Sequence, residues 1–122
     1  MQNAMTRFFA AIVVSLMGIA GADAHALLDH AVPSVGGTIS TSPQEVRLSF
    51  SERIERAFSG VELSTVEGQR ITTPTATIDP AHNARLLLEV PPLAPGRYKV
   101  TWHVVSADTH RIRGDYVFEI KP

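Results

Sequence analysis

Cysteine is absent from this sequence, and all three methionines (Met1, Met5 and Met17) stand near its start. No disulfide framework, thiolate metal site or cysteine nucleophile is therefore available, and nothing after Met17 offers a thioether. Charge of one sign is scarce too. Eleven basic side chains face twelve acidic ones, with no block of either, so nothing points to nucleic acid or an anionic membrane surface as a partner. No stretch keeps a helical period for three turns, and there is no internal repeat or low-complexity segment. The one long apolar run, Phe8 to Ala20, falls short of the roughly 20 residues that a transmembrane helix needs.

What is present begins with a secretory signal. Arg7 supplies the positive end, Phe8 to Ala20 the apolar stretch, and Ala22 and Ala24 the small residues of an A-x-A cleavage site. Residues 1–24 are expected to be removed, leaving 25–122 as a single domain with one modest core. Arg7 and Asp23 leave together, so the balance stays at −1. The mature chain then starts at His25, which carries a free α-amino group beside its imidazole.

The remaining apolar residues alternate in short runs. "EVRLSF", "SGVELST", "RLLLEV", "YKVTWHVV" and "DYVFEI" each place apolar side chains on one face and polar ones on the other. Pro33 to Gly37, Ser42-Pro43, Glu67-Gly68, Asp79-Pro80, Pro91-Pro92 and Pro95-Gly96 punctuate them as turns. "SERIERAFSG" has room for a single helical turn before Gly60. Short strands at this spacing predict an all-β, immunoglobulin-like Greek-key sandwich of about seven strands. In "LAPGRY", a Pro-Gly turn ahead of Tyr98 fits either a tyrosine corner or an ordinary turn before a buried tyrosine. Trp102 shares the inward parity.

The candidate metal ligands are the five histidines and their acidic neighbours. His103 shares the outward face of its strand with Lys99 and Thr101, His82 reads as a turn residue, and His30 as a surface residue. Asp108 and His110, in "VVSADTHRIRG", are different. In an extended chain Asp-x-His puts both side chains on one side of the backbone, within reach of one ion. The His25 amine and its Nδ1 would close a six-membered chelate ring, and Asp108 and His110 would add an oxygen and a third nitrogen. Such a tetragonal N,O set suits Cu(II), whereas zinc asks for a tetrahedron.

The blocks "HALLDHAVPSVGG", "VRLSFSERIERAFSGVEL" and "LAPGRYKVTWHVVSADTHRIRGDYVFEI" resemble the CopC family of periplasmic copper-binding proteins across the whole mature domain. The resemblance implies an Ig-like sandwich holding one Cu(II) per chain at the N-terminal histidine with Asp108 and His110. It also implies a glutamate near the copper, at Glu52 in "SFSE", with Glu55 as a rival. Some members bind Cu(I) in a methionine-rich middle segment; the matching region here has no methionine, which implies a Cu(II)-only type. A CopD-like inner-membrane protein is the implied partner, and the periplasm the implied location.

Three functions follow as alternatives. The first is a non-enzymatic copper carrier or buffer, serving resistance, homeostasis or delivery. A second is a copper histidine-brace oxidative enzyme, which needs an open coordination position and a substrate surface. The third is a metal-free binding module in which His25 is merely the residue after a cut.

Overall fold

The computed structural model describes residues 28–122, and His25 with the proposed leader lies outside them. Among the described residues nine strands form two sheets. They are β1 (Leu28–Val32), β2 (Thr38–Ile39), β3 (Glu45–Phe50), β4 (Gly60–Thr65), β5 (Arg70–Ile71), β6 (Thr77–Asp79), β7 (His82–Glu89), β8 (Gly96–Val105) and β9 (Arg111–Ile120). One sheet runs β1-β3-β7-β6 and the other β2-β9-β8-β4-β5. Pairing is antiparallel except for β2 beside β9. The neighbours β3–β7 and β4–β8 are joined through other strands, as Greek-key sandwiches require. The count exceeds the expected seven because β2 and β5 are two-residue strands, too short to carry an alternation. The single turn foreseen before Gly60 is a 3-10 turn at Arg56–Phe58. Among the described residues no helix is long and apolar enough to cross a membrane.

The alternation translates directly into a core. Val46, Leu48 and Phe50 of β3 and Leu86 and Leu88 of β7 meet Leu63 of β4, Val100, Trp102 and Val104 of β8, and Tyr116, Phe118 and Ile120 of β9. The indole of Trp102 sits between Phe50, in edge contact at 6.4 Å, and Tyr116, tilted at 6.2 Å. Tyr98 stacks on Phe118 at 5.7 Å, and its hydroxyl donates to the Ala94 carbonyl at 2.7 Å. That bond, four residues back across the Pro-Gly turn, makes "LAPGRY" a tyrosine corner.

The first strand shows how the backbone overrides parity. Leu28 pairs with Phe50 and His30 with Ser49, so Asp29 is the extra residue of a bulge. Without it Leu28 and His30 would share a face. With it Leu28 packs on the core while His30 faces solvent and Ala31 is buried.

Candidate metal centre

Five residues, Ser106 to His110, join β8 to β9 and carry both Asp108 and His110. The loop closes on itself: the Ser106 N–H donates to the His110 carbonyl at 2.9 Å, and the Thr109 N–H donates to the Ser106 carbonyl at 2.8 Å. Thr109 has φ +70°, the left-handed region that β-branched residues avoid. The extended Asp-x-His of the sequence reading is thus corrected. A turn closed by the Thr109 N–H on the Ser106 carbonyl, with Thr109 left-handed, and not strand alternation, brings the two side chains together.

His110 Nδ1 lies 3.1 Å from Asp108 Oδ1. The same oxygen accepts a short hydrogen bond from the Ser106 hydroxyl. These donors, the hydroxyl first and the imidazole second, hold the Asp108 carboxyl below the usual carboxylate range. Asp108 keeps Oδ2 as its second oxygen. Both side chains are open to solvent, at 74% and 55% exposure, so an ion reaches them unhindered.

The loop is anchored to the segment that follows β3. The Ala107 N–H donates to the Arg53 carbonyl at 2.9 Å, Ile54 forms a bridge with Ser106, and the Glu55 N–H donates to the Val105 carbonyl at 2.8 Å. Ser59 Oγ locks the same segment by donating to the Glu55 carbonyl at 2.8 Å and accepting from the Val105 N–H at 3.1 Å. Glu52 is therefore next to a residue bonded to the loop. Its side chain is exposed and makes no ion pair among the described residues. Glu55, the rival, is exposed as well.

No three His, Cys, Asp or Glu side chains gather at a single point among the described residues. Asp108 and His110 are two converging groups, and the described chain adds no third. His25 lies outside the described residues. His30, His82 and His103 are exposed on other elements, as expected, with His82 Nδ1 accepting from the Ala84 N–H at 3.3 Å and His103 lying over Gly60. A groove of about 450 Å³ between Ser59–Leu63 and Arg70–Ala76 reaches His103 but neither Asp108 nor His110. A metal ion is held by converging donors rather than by volume, so the groove does not displace the loop as the candidate site.

Sequence reasoning missed Ser106 and Thr109. Ser-x-Asp is a common local hydrogen-bonding pattern and was visible as such. The burial of Ser106 was not, since only the Ile54 bridge and the loop closure produce it.

Comparison with known proteins gives a consistent placement. Residues 28–121 match the CopC domain model. Protein YobA of Escherichia coli K12 is 34% identical over 116 residues, 94% of each chain. In the solved structure of CopC from Methylosinus trichosporium OB3b, 32% identical, the match covers 80% of this chain and 95% of that one with a TM-score of 0.74. PcoC, described as a methionine-rich copper resistance protein from Escherichia coli, is 29% identical over 78% of this chain and 97% of that one, with a TM-score of 0.68. With a family match spanning the described residues almost end to end, the chain belongs to the CopC family.

Proposed function

We propose that this chain is an exported copper-binding protein of the periplasm, which holds one Cu(II) outside the cytoplasm for copper resistance. In this reading residues 1–24 are cleaved and residues 25–122 form the working domain. The ligands are the α-amino group and Nδ1 of His25, an oxygen of Asp108 and a ring nitrogen of His110, with Glu52 beside them. The holder buffers the ion or passes it to a CopD-like inner-membrane partner.

The observation that carries the reading is the Asp108–His110 pair, whose donor atoms lie 3.1 Å apart on side chains that are both open to solvent. Register supports the missing donors. Antiparallel pairing of Leu28 with Phe50 starts β1 beside the end of β3, which leads into the segment bonded to the Asp108 loop. His25 is three residues before Leu28, and three residues span at most about 10 Å. PcoC is a copper resistance protein. PcoC is methionine-rich, whereas this chain has no methionine after Met17, which favours Cu(II) over soft Cu(I).

The reading is non-enzymatic. Asp108 takes the position that an oxidative enzyme would leave open, and Trp102, Tyr98 and Tyr116 are buried in the core, away from any substrate. Titration of correctly processed protein with Cu(II), followed by visible absorption and paramagnetic resonance, tests it. One equivalent with a tetragonal nitrogen-rich spectrum is expected. Absence of stoichiometric binding would return the protein to a metal-free module.

A further inference from the structure

We propose that the groove beside β4 is a slot for one extended peptide segment of a partner protein, which adds a strand to the free edge of β4 at Val61. The groove reaches neither Asp108 nor His110, so the site is separate from the candidate metal centre.

The slot is the unzipped half of a hairpin. β4 and β5 pair antiparallel at Leu63–Ile71 and Ser64–Arg70, and the Thr65 N–H donates to the Gln69 carbonyl at 2.9 Å. Continued in the same register, the pairing would set Glu62 against Thr72, Val61 against Thr73, Gly60 against Pro74 and Ser59 against Thr75. None of these pairs forms. The two lengths of chain part instead, and they are the two walls of the groove.

Antiparallel ladders alternate hydrogen-bonded and non-hydrogen-bonded pairs. Because Thr65 bonds across the hairpin, Leu63 and then Val61 aim their N–H and C=O groups at the same edge, while Gly60, Glu62 and Ser64 aim theirs at β8. Thr73 is the bonded position on the facing wall. Among the described residues neither Val61 nor Thr73 has a backbone partner across the groove. Proline is a usual guard of exposed edges, since it cannot donate. Pro74, however, falls opposite Gly60, where an N–H would point away from β4. It therefore blunts the outer side of this chain and leaves the β4 edge open.

The walls also define the occupant. Five residues of wall, Ser59 to Leu63, span about 16 Å at the rise of a strand, which is room for a short extended segment. Ile71 and Ala76, half-buried against the core, line its inner side, and the exposed Glu62–Arg70 ion pair at 2.7 Å lies on the outer one. A segment alternating β-branched and polar residues matches both. To enter between two walls it must be free on both of its own edges, as a tail or linker is. A second copy of this domain does not fit that requirement: its strands are held in sheets, and beyond β9 the described residues add only Lys121 and Pro122. Strand addition of this kind takes its affinity from main-chain bonds and its selectivity from alternate side chains.

Amide hydrogen exchange of the processed protein tests the proposal, with capped hexapeptides of alternating Thr and Val, and of alternating Ser and Leu, as probes. In the free protein the Val61 amide should exchange freely while that of Glu62, turned to β8, is protected. At about 1 mM, one of the peptides should protect Val61 and shift Thr73. Thr73→Pro removes the facing donor and should weaken the peptide roughly tenfold, whereas Thr73→Ala should stay within about twofold, because only the backbone takes part. Protection of Val61 in the free monomer would mean that the walls already close on each other, and overturns the slot. Protection that appears only with a dimer in sedimentation would give the edge to a second copy, and overturns the partner. No protection by either peptide, or equal losses in folded Thr73→Pro and Thr73→Ala, overturns strand addition.

Discussion

The Tyr116 hydroxyl donates a 2.7 Å hydrogen bond to the Pro33 carbonyl, joining β9 to the chain just after β1 across 83 residues of sequence. The tie links the two sheets at residues that sequence distance would never pair. Tyr116 is buried, and burial pushes its phenol well above the usual range. Tyr116→Phe strands a carbonyl and should cost about 1–2 kcal/mol in unfolding at neutral pH. A loss of less than a few tenths would mean that water replaces the bond.

The same phenol sets an alkaline slope. Its folded pKa is raised, so its contribution is complete below the ordinary value of about 10 and declines as pH rises beyond it, because the unfolded chain ionises first. The stability difference between native and Tyr116→Phe should therefore shrink above about pH 10, by up to roughly 1.4 kcal/mol per unit. Denaturant unfolding across that range measures it; a constant difference would refute the assignment.

Gly114 faces Trp102 across β8 and β9, and a Cβ at Gly114 would lie 2.9 Å from Cε2 of the indole. The backbone there is not left-handed, so close approach alone demands glycine. Gly114→Ala should destabilise by about 1–3 kcal/mol through overpacking. Tryptophan fluorescence should shift with it, and an unchanged melting temperature would show that the indole has room to move.

At the candidate centre, His110→Ala should lose most Cu(II) affinity while unfolding within about 0.5 kcal/mol of native, since the side chain is exposed. His103→Ala, also exposed and on the outer face of β8, is the matched control. Equal affinities in the two would leave Asp108 and His110 as an ordinary polar loop.

One residue added ahead of His25 should weaken Cu(II) binding although every side chain is kept. It turns the donor amine into a peptide nitrogen, whose proton is far harder to displace than that of an amine with a pKa of roughly 7.7–8.0. Falling pH should act in the same direction, as protons compete for imidazole and amine. Indistinguishable titrations of native and extended proteins at neutral pH would remove the amine from the ligand set.

Period-2 alternation alone placed the five long strands, because a half-buried strand must sort its side chains by face. Their ends differ from the quoted runs by a few residues: β7 starts at His82 and β8 at Gly96, both inside stretches rich in turn formers. Trp102 as core and His103 as surface followed from the same parity. Asp108 and His110 stood out because their motif is local, and the structure brings their side chains together. The two-residue strands β2 and β5 and the bulge at Asp29 were not, since each exists only through a partner strand remote in sequence.

By itself, then, the sequence determined a cysteine-free all-β domain, its core face, the local Asp-x-His motif proposed to hold an ion, and the absence of soft ligands after Met17. Tertiary structure decided how those two side chains meet. The positive φ of Thr109, the shared oxygen of Asp108 and the burial of Ser106 arise from closing the loop over the Ile54 bridge. Composition and period record which residues prefer water, but the direction of a hydroxyl is set by the backbone packed around it.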